Sequence, residues 1–213
     1  MGYNIDPISA NCYSGTTVLI NKFDIRGERK LNEVEGVLTS ARYAEWLNAP
    51  KAETFDFDHY KAIHRFLFSD LYDWAGEVRT VNISKKGTQF APVEQIESQA
   101  ALIFERLKTR DSFKGLSHDE FVDEIVDFYC VTNFLHPFRE GNGRTQRLFL
   151  TQLIRNADYD ISFADMDTDL LMIATIQSAQ GVTDLLKAVF SESIFDPHAD
   201  PHGETNGRKQ WNR

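Results

Sequence analysis

The chain has 213 residues and a formal net charge of −9, with a sequence pI of about 5.1. That length suits one domain with a sizeable core and falls short of two typical domains. Surfaces that bind nucleic acid are usually basic, so the acidic balance argues against a nucleic-acid partner. No apolar run reaches the roughly 18 residues of a membrane span, so no membrane partner is expected.

The chain starts without the basic residues and apolar run of a signal peptide. The predicted site of action is therefore the cytoplasm, with secretion by a route not visible in the chain left open. Cys12 and Cys130 are expected as buried free thiols in a reducing compartment, and a disulfide between them is the alternative.

Helical periodicity dominates the chain. Apolar side chains at helical spacing predict seven helices, over residues 28–48, 57–72, 93–110, 118–135, 144–156, 166–178 and 181–194. Ser117, with Glu120 three residues later, is a capping box for the fourth helix.

One stretch has strand character. Residues 79–84 alternate as in a strand, a turn follows, and residues 89–91 return as a second arm that Pro92 ends. The predicted fold class is therefore mainly α, a helical bundle with one small β-hairpin. We expect a single domain over residues 1–196 and a polar, disordered tail over residues 197–213, which has few apolar side chains.

The most informative segment is residues 136–147, which read HPFREGNGRTQR. A glycine turn before a helix places unpaired N–H groups where an anion binds, and arginine forks suit phosphate oxygens. Glu140 is compatible with phosphates if a cation such as Mg²⁺ lies between them. His136 can take a proton near neutral pH. The alternative is a capped helix start with surface arginines and a core histidine.

These twelve residues match the pattern His-x-Phe-x-Asp/Glu-Gly-Asn-Gly-Arg-x-x-Arg at every fixed position. The chain thus resembles the Fic domain family. Residues 73–85 with Phe90-Ala91-Pro92 resemble the β-hairpin flap of that family, and residues 13–22 resemble its N-terminal entry.

The resemblance implies a protein adenylyltransferase, which transfers AMP from ATP to a Ser, Thr or Tyr hydroxyl of a target protein. His136 would be the general base, Glu140 would hold Mg²⁺, and Phe138 would anchor the loop in the core. The phosphates of ATP would bind at Gly141, Asn142, Gly143, Arg144 and Arg147, with the Asn142 side chain helping.

The resemblance also implies that the flap docks the target, since an exposed strand edge can pair with an extended segment. The matching positions are Thr80, Val81, Asn82, Ile83, Ser84, Lys85 and Phe90. An ordinary surface hairpin is the alternative.

Transfer of another group in place of AMP remains an alternative: UMP, phosphocholine or a terminal phosphate. So does an inactive nucleotide-binding regulatory module. Many relatives carry an inhibitory Ser/Thr-x-x-x-Glu-Gly/Asn helix, whose glutamate would pair with Arg147. Here Glu35-Gly36 has Leu31 four residues before the glutamate, so the motif is absent as written. The resemblance then implies a toxin or effector inhibited by a separate small antitoxin protein, with a degenerate helix ending at Glu192 left open.

Overall fold

The computed structural model describes residues 4–5, 11–48, 52–85 and 88–199. Within these ranges it has seven α-helices, which are α1 Glu28–Leu47, α2 Phe57–Phe68, α3 Ile96–Thr109, α4 His118–Leu135, α5 Asn142–Asn156, α6 Thr168–Ser178 and α7 Asp184–Ser193. The strands in the same ranges are β1 Asn4–Ile5, β2 Ile83–Lys85, β3 Thr88–Gln89, β4 Asp160–Ile161 and β5 Ile194–Phe195. The predicted mainly α class with a small hairpin is confirmed.

Helix α5 lies at the centre of the bundle and packs against α1, α2 and α4. Its Phe149 is fully buried, with ring centroids 5.3 to 5.7 Å from those of Phe55, Tyr60, Phe104 and Phe128. Aromatic pairs at this spacing add roughly 0.5–1.5 kcal/mol each beyond the area they bury. This packing fixes the position of the N-terminus of α5.

Helix α4 begins and ends where the sequence predicts. The capping box is present, with the Ser117 amide donating to Glu120 Oε2 at 3.1 Å. The helix ends at Leu135, and His136 follows as its C-cap residue with φ 42° and ψ 58°. This left-handed conformation costs a non-glycine residue roughly 1–3 kcal/mol, so surrounding contacts must hold it.

The end of α2 differs from its prediction. The helix stops at Phe68, and the amides of Leu71 and Tyr72 both bond the Phe68 carbonyl in a turn. Leu71 and Tyr72 are each only 1% exposed. The apolar pattern therefore continues past the helix end, which explains why the helix was predicted to run to residue 72.

The hairpin is shorter than predicted and belongs to a three-stranded sheet. Residues 79–82 form no strand, and β2 begins at Ile83. The second arm ends at Gln89, so Phe90 and Ala91 lie outside β3. On its other edge β2 pairs antiparallel with β1, with Asn4 opposite Ser84. The sequence predicted neither β1 nor the β4–β5 pair.

The predicted tail falls almost entirely outside the described residues, which end at residue 199. Within the described ranges no helix has the length and apolar character needed to cross a bilayer. Cys12 and Cys130 are partly buried thiols with no disulfide between them. Burial raises the pKa of the Cys130 thiol.

Candidate active site

His136 lies almost fully buried at the end of α4, with 6% of its surface exposed. Its Nδ1 is 3.0 Å from the Asn133 carbonyl oxygen. A carbonyl can only accept, so Nδ1 carries the proton of the neutral ring and Nε2 carries the lone pair. Burial, together with the charges of Lys85 and Arg79, lowers the pKa of His136 to about 3, against the hydrogen bond to Asn133, which raises it. The ring is therefore neutral at physiological pH.

The side chains of Asn142 and Phe138 hold the loop after His136 in place. Asn142 Oδ1 accepts from the Phe138 amide at 2.8 Å, and Asn142 Nδ2 donates to the Phe138 carbonyl at 2.7 Å. The Asn142 side chain was expected to help hold phosphate, but its two polar groups hold the loop instead. Phe138 is fully buried and stacks on His64 with centroids 3.9 Å apart, so its predicted anchoring role is confirmed.

The N-terminus of α5 is shaped to receive an anion. Gly141 is its N-cap with φ 77°, and a Cβ there would lie 2.1 Å from Phe68 Cζ, so only glycine fits. The helix begins at Asn142, so Asn142 and Gly143 lie in its first turn rather than in a preceding turn as predicted. No side chain caps this end, and the first backbone N–H groups of a helix lack intrahelical acceptors.

Glu140 lies beside this helix end. Its Oε1 accepts from the Gly141 amide at 2.8 Å and is 3.6 Å from Arg144 Nη2. Among the described residues no three His, Cys, Asp or Glu side chains are grouped so that they could hold a metal ion. Mg²⁺ is commonly bound by one or two carboxylates together with phosphate oxygens and water. A single carboxylate beside an uncapped helix N-terminus is compatible with this mode of Mg²⁺ binding.

Arg144 already has a carboxylate partner, which the sequence did not predict. Its Nη2 donates to Glu35 Oε1 and its Nη1 donates to Thr39 Oγ1 at 3.0 Å, both on α1. Glu35 is 8% exposed and also accepts from the Tyr72 hydroxyl at 2.5 Å. Burial and the charge of Glu35 raise the pKa of Tyr72. The predicted phosphate ligand Arg144 is thus held on one side by the buried side chains of Glu35 and Thr39.

Arg147 differs from Arg144 in its surroundings. It is half-buried, and its Nη1 lies 3.4 Å from the place that a Cβ on Gly143 would occupy. Within the described ranges it forms no ion pair with a carboxylate. This guanidinium therefore lies along the first turn of α5, next to Gly143.

The structure brings part of the predicted flap to His136. The ring of Phe90 stacks on the imidazole, and Lys85 is close enough to act on its pKa. Ile83 is buried, so it belongs to the core face of the hairpin. The other predicted flap residues do not meet the histidine in any described contact: Thr80, Val81, Asn82 and Ser84.

The sequence also missed Arg79, which joins the flap to the end of α4. It is 3% exposed and donates to the carbonyls of His136 at 2.9 Å, Val81 at 2.8 Å and Ala91 at 2.5 Å. Two of these carbonyls, those of Val81 and Ala91, lie just outside the β2–β3 pairing and bond this guanidinium. An arginine before a strand gives no sequence signal for such a role.

His64 is the second buried histidine near the site. Its Nδ1 accepts from the Gly76 amide at 2.8 Å, so the neutral ring donates from Nε2 to the Glu140 carbonyl at 3.0 Å. Burial lowers its pKa to about 3.

The fold and the site define a helical domain in which a neutral histidine precedes an uncapped helix N-terminus. The chain belongs to the Fic/DOC family, whose model matches residues 54–154. It is 38% identical over 177 residues to the probable protein adenylyltransferase y4lH of Sinorhizobium fredii, covering 83% of this chain and 89% of that protein.

Other comparisons agree with this assignment. The protein adenylyltransferase VbhT of Bartonella schoenbuchensis is 37% identical over 85% of this chain, which spans only 38% of that relative's length. Among solved structures, BepC of Bartonella tribocorum with bound AMPPNP superposes with a TM-score of 0.83 at 28% identity, covering 87% of this chain and 96% of that one. A Fic domain from Bartonella quintana with bound ADP also superposes with a TM-score of 0.83, at 27% identity, covering 87% of this chain and 94% of that one.

Proposed function

We propose that this chain is a protein adenylyltransferase, which transfers AMP from ATP to a Ser, Thr or Tyr hydroxyl of a target protein. The observation that carries the proposal is the neutral His136 placed beside the uncapped N-terminus of α5. Relatives named as protein adenylyltransferases or probable ones, at 31 to 38% identity over most of the chain, support the same activity.

In the proposed reaction His136 Nε2 takes the proton of the target hydroxyl. The hydroxyl oxygen forms a bond to the α-phosphorus of ATP, and the bond from that phosphorus to pyrophosphate breaks. The backbone N–H groups of Asn142 and Gly143 stabilise the charge on the α-phosphate, and Arg147 stabilises the charge on the leaving group. Positioning and charge stabilisation account for most of the catalysis in phosphoryl-type transfer.

Glu140 is the residue proposed to hold Mg²⁺ between itself and the phosphates. The ion would supply positive charge that offsets the charge of the phosphates and of the carboxylate. Arg144 is proposed to contribute a phosphate contact only from the side of its guanidinium that Glu35 and Thr39 leave open.

The flap residues Thr80–Lys85 and Phe90 are proposed to dock the target, and the cytoplasm is the proposed site of action. An incoming segment cannot simply add to β2, because β1 occupies that edge. It must displace residues 4–5 or pair along β3.

The proposal includes a separate small inhibitor protein, an antitoxin that supplies a glutamate to Arg147, with the chain acting as a toxin or effector. Two observations support it: the chain lacks the inhibitory motif as written, and Arg147 has no carboxylate partner in the described ranges.

The test is incubation of the purified chain with ATP labelled in the α-phosphate and a cell lysate. The parent should leave label on protein, and His136→Ala should reduce labelling at least about 100-fold, since a general base contributes 10²–10⁴-fold. His198→Ala changes an exposed histidine outside the site and is the matched control. Labelling by His136→Ala within about tenfold of the parent would contradict the assignment of the base.

A further inference from the structure

The ring of Phe90 lies flat against the imidazole of His136. The two centroids are 3.6 Å apart and the ring planes differ by 10°. Phe90 is half-buried just after β3, whereas only 6% of His136 is exposed. One face of the imidazole is therefore closed to water by the phenyl ring.

Backbone bonds fix this stack in place. The amide of Ala91, which follows Phe90, donates to the carbonyl of Phe134 at 3.0 Å, two residues before the histidine. The guanidinium of Arg79 bonds the carbonyls of both Ala91 and His136. The segment that carries the phenyl ring and the helix end that carries the imidazole are thus tied together.

We propose that Phe90 is a positioning residue for His136: it fixes the plane of the imidazole and excludes water, so that AMP passes to a protein hydroxyl rather than to water. The Nδ1 bond to the Asn133 carbonyl and the stack on Phe90 both hold the ring orientation. Rotation about the Cβ–Cγ bond of the histidine breaks both contacts. Without the phenyl ring the base loses this stacking contact.

This inference rests on the proposed AMP transfer and deepens it. Transfer to protein and hydrolysis differ only in the group that attacks. In each, the attacking oxygen loses its proton to His136 Nε2 and bonds the α-phosphorus, and the bond to pyrophosphate breaks. The products are AMP on protein in one case and free AMP in the other. Their ratio therefore reports how well the histidine is shielded from water.

The first measurement is that ratio, obtained with the full chain, labelled ATP and the lysate described above. Phe90→Ala and Phe90→Leu should raise the ratio of free AMP to protein-bound AMP by about tenfold, since misplacement by about 1 Å can change a rate by up to 100-fold. Phe90→Tyr keeps the aromatic ring and should keep the parent ratio. Phe195→Leu changes a half-exposed phenylalanine on β5 and is the matched control.

The second measurement is NMR titration of the His136 ring, which needs no activity. Lys85 on β2 and Arg79 before it are the charged groups that act on this ring, and burial is the main cause of its low pKa. That pKa should rise from about 3 toward the ordinary value near 6.5 in Phe90→Ala, because water reaches the ring. Phe90→Tyr should titrate like the parent.

Circular dichroism confirms folding, and Phe90→Leu replaces Phe90→Ala if the latter does not fold. The inference would be overturned if the Phe90 variants keep both the product ratio and the His136 titration of the parent. Protein-bound AMP formed by the parent would in that case still support the proposed function. If the parent forms neither product from ATP, the proposed function fails and the inference fails with it.

Discussion

At the scale of single residues, the pair formed by the buried Glu35 and the partly buried Arg144 is the least expected feature of the site. Glu35 lies on the same face of α1 as Leu31 and Thr39, and all three are buried. A buried carboxylate is costly unless it is paired and hydrogen-bonded, and Arg144 and Tyr72 supply those partners. The pair therefore joins α1 to the first turn of α5.

Glu35→Gln should lower the free energy of unfolding by about 1–3 kcal/mol, because the partly buried guanidinium of Arg144 loses the closer of its two carboxylate neighbours. Urea unfolding at neutral pH measures the loss. The matched control is Glu33→Gln on the same helix, whose side chain is 54% exposed and should change stability by less than about 0.5 kcal/mol. Equal effects of the two substitutions would show that the pair contributes nothing beyond a surface charge.

The sequence identified the residues of the motif because their spacing is local. His136, Glu140 and Gly141 lie within six positions of one another, and their chemistry is readable from type and order. Glu35 and Arg144 are 109 positions apart, and Arg79 and His136 are 57 apart. Such partners become visible only when the fold brings them together.

At the scale of elements, the long helices were predictable and the short strands were not. Helix α4 has five turns of apolar periodicity and a capping box, and its bounds match the prediction. Each described strand has only two or three residues, too few to show alternation. The ends of the hairpin depend on which backbone carbonyls accept hydrogen bonds from Arg79. These bonds are set by the tertiary fold and not by the local sequence.

The pairing of β1 with β2 leads to a prediction about target docking. Deletion of residues 1–5 should raise modification of an intact target several-fold, because the incoming segment no longer has to displace backbone hydrogen bonds worth roughly 0.5–1.5 kcal/mol each. The KM for ATP should stay unchanged. The measurement is the initial rate on a target identified from the lysate.

A companion variant separates docking from folding. Ser84→Pro removes an amide from the central strand of the three-stranded sheet and should lower target modification while leaving hydrolysis of ATP in place. If the deletion lowers target modification and ATP hydrolysis in equal proportion, β1 is a structural strand and not a competitor for the docking edge.

At the scale of the whole molecule, two buried neutral histidines couple stability to pH. The pKa values of His64 and His136 are both lowered to about 3, mainly by burial. In the unfolded chain a histidine has a pKa near 6.5. Between about pH 3 and pH 6.5 the unfolded state therefore binds protons that the folded state does not. The stabilisation is fully present above about pH 6.5 and decreases as the pH falls.

The free energy of unfolding should therefore drop between pH 6.5 and pH 5, by up to about 1.4 kcal/mol per pH unit for each histidine. Urea titrations at pH 7, 6 and 5 measure this slope above the range in which ordinary carboxylates take up protons. His136→Gln and His64→Gln should each remove about half of the slope, and the double variant should flatten it. A constant free energy of unfolding in the parent across this range would contradict the prediction. It would mean that the two rings take up protons as readily in the folded state as in the unfolded state. The stacking of His136 on Phe90 and of His64 on Phe138 argues against that outcome.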